Sequence, residues 1–181
     1  RHGFSVRLPA AAYAWETLGV SARIAGSGEA LSNDGRQIRP EAVSLVAGDI
    51  VDNCNLRCPF CLVDYAGMKG LRQTSSETYE RMMALGQTVP DGMLWLSCLH
   101  EPTLNGRFPE FLRRTPEGVR RKLSFTTNLC RRLDDEALRA MAESGAHHFR
   151  ISYDSAQPEL FGQLRKGGVF ATFEGNLNRL A

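Results

Sequence analysis

Cys54-Asn55-Leu56-Arg57-Cys58-Pro59-Phe60-Cys61 places three thiols within eight residues, in the spacing CxxxCxxC, so that all three can converge on one metal centre. Three thiolates leave one iron of a [4Fe–4S] cube without a protein ligand, whereas a cube that only carries electrons is normally held by four cysteines. The open iron is where an inner-sphere ligand can be activated. Other uses of these residues fit less well. A structural zinc site takes four ligands in paired CxxC or Cys/His form, and no second CxxC or HxxxH occurs in the 181 residues. Five cysteines is an odd number for a disulfide framework, and no secretory pattern precedes them in this sequence. A ferredoxin-type run needs a further cysteine close by, and Cys98 and Cys130 lie far along the chain.

The composition is that of an ordinary globular chain with enough residues for one sizeable core, 43% hydrophobic and 23% charged. No stretch approaches the run of ~20 apolar residues that spans a bilayer. With 22 basic against 20 acidic side chains the formal charge is +2, so no global field calls for nucleic acid or an anionic membrane. The basic groups Arg113/Arg114, Arg120/Arg121/Lys122 and Arg131/Arg132 read as solvated helix faces, because no stacking aromatics are interleaved with them. Cysteine usage suits a reducing compartment, and the localisation expected is cytoplasmic. The start at Arg1 and the stop at Ala181 within a helical pattern predict a piece of a longer chain.

Residues 1–40 read as an N-terminal extension, small hairpin or linker. The apolar run Ala10 to Trp15 suits a helix packed on the main domain. Val20, Ala22, Ile24, Leu31, the Asn33-Asp34-Gly35 turn and Ile38 suit a β-hairpin, with Gly26-Ser27-Gly28 equally suited to a flexible connection. From residue 41 onward the pattern predicts strand, loop and helix four times over. The strands are Val43–Val46, Met93–Leu96, Leu123–Asn128 and His147–Asp154. The helices begin after Thr74-Ser75-Ser76-Glu77, which has capping-box spacing, at Phe108 with a break near Pro116, at Asp134 or Asp135, and over Phe170, Phe173, Leu177 and Leu180. Methionines Met82 and Met83 are core filler. His147 and His148 point to opposite faces of their strand and do not serve one metal. His100 is either a hydrogen-bonding contact or a packed polar group, and Cys98 and Cys130 are read as structural.

CxxxCxxC with an aromatic residue, Phe60, before its last cysteine resembles the signature of radical S-adenosylmethionine (radical SAM) enzymes. Three further segments resemble that family in the order it has them. Glu101-Pro102-Thr103-Leu104 is similar to its GxGEPTL segment, with Cys98 and His100 where glycines are frequent. Thr126-Thr127-Asn128 is similar to TTNG, with Leu129 replacing the glycine. Ser152-Tyr153-Asp154, followed by Arg165-Lys166-Gly167-Gly168-Val169-Phe170, is similar to S-[LIV]-D and R-x-GGxF.

The resemblance implies a [4Fe–4S] cluster on Cys54, Cys58 and Cys61, and S-adenosylmethionine contacted by Phe60, His100, Glu101, Thr127, Ser152, Asp154 and Arg165. An arginine at 165 suits the carboxylate of the methionine moiety. Reductive cleavage of the cofactor would give a 5′-deoxyadenosyl radical that abstracts hydrogen from an unidentified substrate, a peptide or small molecule. The expected fold is an α/β partial (β/α)6 TIM-like barrel, with residues 41–181 its core domain, truncated after the fourth β/α unit. A reductant such as flavodoxin or ferredoxin is the partner implied. The alternatives are a non-catalytic iron–sulfur binding or electron-transfer domain and an RNA-modifying member, for which no RNA-binding module is visible.

Overall fold

The computed structural model describes residues 18–20, 26–29, 36–38, 45–63, 65, 68, 70–89 and 92–181. An antiparallel pair, β1 (Leu18–Val20) and β2 (Arg36–Ile38), forms its own two-stranded sheet. The main sheet is parallel and its strands follow in sequential order: β3 (Leu45–Gly48), β4 (Met93–Leu96), β5 (Leu123–Thr127) and β6 (His148–Ile151). Parallel neighbours need crossover connections. Helix α1 (Ser76–Gln87) links β3 to β4, α2 (Phe108–Arg114) and α3 (Glu117–Arg120) link β4 to β5, and α4 (Asp135–Ala142) links β5 to β6. Helices α5 (Pro158–Leu164) and α6 (Phe170–Leu180) follow the last strand.

Alternation along the strands gives the sheet two unlike faces. Val46, Leu94, Leu96, Phe125, Phe149 and Ile151 share one face through their register and belong to a single core with the helices. Phe125 packs edge-on to Phe108 of α2 at 5.4 Å and flat on Phe149 at 5.2 Å. Tyr79 of α1 stacks on Phe111 of α2 at 4.1 Å, and Phe161 and Phe173 join α5 to α6 at 5.0 Å. Each such side chain contributes roughly 1.5–3 kcal/mol by leaving water. The opposite face carries Leu45, Ala47, Trp95, Ser124, Thr126 and Arg150 and lies outside that core.

Several boundaries differ from those the sequence predicts. The first strand continues past Val46 to Gly48, because Gly48 pairs with Leu96 and accepts a bond from the Ser97 amide; Val43 and Ser44 lie outside the described residues. Ser75, not Thr74, caps α1, its Oγ accepting the Thr78 amide. Thr74 is held extended beside the sheet by donating to the Ile50 carbonyl, and Glu77 pairs with Arg81 one turn on. Asp134 caps α4 as the sequence suggests, accepting from the Ala137 amide at 2.8 Å. The short helix α5 was not expected, although Pro158 in its first turn is a usual start signal. β1 and β2 pair as a hairpin would, but Ala22, Ile24, Leu31 and the 33–35 turn lie outside the described residues, as does the run 10–15. Among the described residues no helix is long and apolar enough to cross a membrane.

The Tyr79 phenol bonds the Thr115 hydroxyl at 2.7 Å, and burial pushes its pKa up to about 12. An unfolded tyrosine ionises near pH ~10. The stabilisation is therefore complete below about pH 10 and is lost as the pH rises toward about 12, because the unfolded chain gives up the proton first. Tyr79→Phe is expected to cost ~1 kcal/mol at neutral pH and to flatten the decline between about pH 10 and 12, measured by urea unfolding.

Candidate active site

The carboxyl ends of the four parallel strands surround a cavity of about 110 Å³. Cys54, Cys58 and Cys61 enter it from the loop after β3, and Cys98, His100 and Glu101 from the loop after β4. Thr126, Thr127 and Asn128 line it from the end of β5, with Ser152 after β6 and Arg165 after α5. Among the described residues no three His, Cys, Asp or Glu side chains gather as ligands of a single metal ion. A cube makes a different demand, since it takes each thiolate on a separate iron.

The cysteine loop is held from both sides. The Asn55 side chain donates to the Cys130 carbonyl at 3.3 Å and accepts from the Asn128 amide group at 3.0 Å. The Arg57 backbone donates to the Lys166 carbonyl at 2.8 Å, and its guanidinium to the Cys54 carbonyl at 2.6 Å. Gly168 lets the turn after α5 lie against Cys130, because a Cβ there would lie 2.9 Å from the Arg165 carbonyl oxygen and 3.1 Å from the Cys130 sulfur. Three donors face the sulfurs: the Leu56 amide at 3.4 Å and Asn128 Nδ2 at 3.5 Å from Cys54 Sγ, and Arg165 Nη1 at 3.8 Å from Cys58 Sγ. Burial pushes the Cys54 thiol up to about 11 and the Cys130 thiol up to about 12.

Glu101 is 2% exposed, and both its oxygens are engaged. Oε1 accepts from the Thr103 amide at 3.2 Å and from the hydroxyls of Thr103 and Thr127, each at 2.7 Å; Oε2 accepts from the Asn128 amide at 2.7 Å. Burial raises its pKa against the opposing pull of those four donors. Among the described residues it has no salt-bridge partner.

Phe60, His100, Glu101, Thr127, Ser152 and Arg165 all line the cavity with the three cysteines, whereas Asp154 is absent from its lining and pairs with Arg165 Nε. Arg165 also stands 5.3 Å over the Phe60 ring. Thr127 spends its hydroxyl on Glu101, and His100 Nδ1 lies 3.1 Å from the Tyr65 hydroxyl. Three contributors are absent from the contacts that the sequence reading named, although it placed Asn128 in the polar strand end. Asn128 bridges the β5 end to Cys54, Asp49 accepts the amides of Leu99 and His100, and Tyr65 braces His100. Only Asn128 carried a signal, as a polar residue closing a buried strand.

The sequence model described as Radical SAM superfamily matches residues 49–181. The chain belongs to the radical SAM superfamily. Members of this superfamily use a [4Fe–4S] cluster and S-adenosylmethionine. The GTP 3′,8-cyclase of Hydrogenovibrio crunogenus (strain DSM 25203 / XCL-2) is 27% identical over 123 residues, 66% of this chain and 36% of that protein. The GTP 3′,8-cyclase of Synechocystis sp. (strain ATCC 27184 / PCC 6803 / Kazusa) is 28% identical over 148 residues, 79% of this chain and 42% of that protein. This chain thus spans less than half the length of these relatives. Native anSMEcpe with bound AdoMet shares the fold at a TM-score of 0.59 and 22% identity, covering 76% of this chain and 40% of that one. BtrN in complex with AdoMet and 2-DOIA follows at 0.51 and 20% identity, covering 73% and 54%. The fold is the α/β parallel sheet of a partial TIM-like barrel.

Thr127→Val keeps the shape of the side chain but removes one donor to a buried carboxylate. It is expected to destabilise the chain by roughly 1–3 kcal/mol, while Thr127→Ser retains most of the stability, both measured by thermal melts.

Proposed function

We propose that Cys54, Cys58 and Cys61 hold the [4Fe–4S] cluster as thiolates and that S-adenosylmethionine binds against it at the mouth of this cavity, for radical chemistry on a peptide or small molecule. The observation that carries this reading is the meeting of three thiols and a buried carboxylate in one cavity at the carboxyl edge of a parallel sheet. When bound, the pair supplies reductive cleavage of the sulfonium to start hydrogen abstraction.

The residues fit such a pair. N–H donors at the Cys54 and Cys58 sulfurs favour thiolate ligands and tune a cluster. Taking up iron requires the buried Cys54 proton to leave, so loading is favoured as the pH rises. Glu101 offers the ammonium of the methionine moiety a buried carboxylate, whose Oε2 accepts a single hydrogen bond in this structure. Arg165 is oriented by Asp154 through Nε, which leaves N–H groups for the methionine carboxylate. His100 is fixed at Nδ1 by Tyr65 and presents its other nitrogen for a hydrogen bond. Ser152 and Phe60 complete the wall, and Thr127 acts through Glu101. A one-electron reductant, flavodoxin or ferredoxin, is the partner this reading requires. The matched relatives act on GTP by name, but the match covers less than half of each, so it does not carry their substrate to this chain.

After anaerobic reconstitution with iron and sulfide, Cys54→Ala, Cys58→Ala and Cys61→Ala should each abolish the brown visible absorbance, while Cys98→Ala and Cys130→Ala spare it. Loss of the chromophore in either of the last two would mean a fourth thiol ligand and a closed electron carrier. The reconstituted parent should release 5′-deoxyadenosine when given dithionite and S-adenosylmethionine. A stable cluster that yields none would leave an iron–sulfur binding module in place of an enzyme.

A further inference from the structure

The face of the sheet turned away from the helices carries a guanidinium with no acidic partner among the described residues. Arg72, Arg81, Arg113, Arg114, Arg121, Arg165 and Arg179 all pair with carboxylates. Arg57, Arg107, Arg120, Arg131, Arg132, Arg139 and Arg150 have no carboxylate partner among the described residues, and of these Arg150 is the one on this face of the sheet, its guanidinium 5.0 Å over the ring of Trp95. We propose that Arg150, held on Trp95, is the anchor for an anionic group of the substrate, a carboxylate or a phosphate. This rests on the reading of the adjoining cavity as the place where the substrate is attacked.

The register connects the two places. Thr126 is the Cα partner of Arg150, lines the cavity, and accepts from Trp95 Nε1 at 3.3 Å. Ser152 lies two residues beyond Arg150, so it points to the same side about 7 Å farther along, and it too lines the cavity. One continuous face therefore runs from the cavity mouth past Thr126 to Arg150. A row deeper, Ser124 is the partner of Trp95 and of His148, and its fully buried hydroxyl has no hydrogen-bond partner in the structure. No Asp or Glu occurs among the registered residues of this face, so nothing on it competes for the arginine.

Arg150 is exposed, and its contact with Trp95 restrains a guanidinium that would otherwise swing freely in solvent. An aromatic surface under a guanidinium restrains its plane while leaving its N–H edge free. That edge matches the paired oxygens of a carboxylate or phosphate.

Trp95 supplies the readout. The protein has two tryptophans, so in a Trp15→Phe background the emission comes from Trp95 alone. Reconstituted protein is titrated with tripolyphosphate and, separately, with citrate, at constant ionic strength. A saturable change in Trp95 emission is expected with at least one of them, and which one responds separates a phosphate from a carboxylate. Arg150→Gln should weaken that binding about tenfold or more, and Arg150→Lys, which keeps the charge without the fork, by a smaller factor. No response to either anion, or equal affinity in Arg150→Gln, overturns the proposal, as does a response that chloride alone reproduces. Cluster absorbance recorded on the same samples reports separately on the cofactor reading.

Discussion

The carboxylate of Glu101 ties together three of the loops that make the reactive edge of the sheet. It takes the hydroxyl and amide of Thr103 from its own loop, and the Thr127 hydroxyl and Asn128 amide from the end of β5. Asn128 in turn reaches Cys54 and Asn55 in the loop after β3. Hydrogen bonds to a charged group contribute roughly 1.5–3 kcal/mol each, while burying a carboxylate costs several. Four donors are therefore about what is needed to offset that cost, and losing one leaves a share of it uncompensated. The arrangement is rigid because it is electrostatically expensive to take apart.

That rigidity sits on a sheet with a division of labour. One face is closed by aromatic packing against the helices, with Phe125 between Phe108 and Phe149. The other carries Trp95, Thr126 and Arg150 and leads to the cavity. Catalytic groups at the carboxyl ends of parallel strands draw their precision from the packed face and their access from the open one. Arg165 belongs to the same economy: Asp154 orients it, Phe60 lies beneath it, and its end reaches Cys58.

Much of this was legible in the sequence, for definite physical reasons. Met93–Leu96 and Leu123–Thr127 stand out because a strand buried against helices needs an unbroken apolar face, and the thiols because their spacing serves little besides a metal cluster. What stayed hidden depends on contacts between distant residues. The partnership of Arg165 with Asp154, the bracing of His100 by Tyr65, and the anchoring of Leu99 and His100 by Asp49 have no local pattern. Leu129 is instructive. It occupies the position where a TTNG segment has glycine, with a left-handed φ of 51°, and is 0% exposed. The left-handed backbone costs roughly 1–2 kcal/mol, and burying a leucine returns roughly 1.5–3, so the side chain can hold a position that conformation alone would assign to glycine. The cap of α1 falls on Ser75, whose Oγ takes the Thr78 amide, while the backbone of Thr74 is held extended by its bond to the Ile50 carbonyl.

The account turns on one corner of an iron–sulfur cube being kept free of protein ligands and given to the cofactor. Electron–nuclear double resonance on the reduced, reconstituted protein, with S-adenosylmethionine isotopically labelled at its amino nitrogen and carboxylate oxygen, tests this directly. Hyperfine coupling of both labelled atoms to the cluster is the predicted result. A cluster that shows no coupling to either atom at saturating cofactor would contradict it.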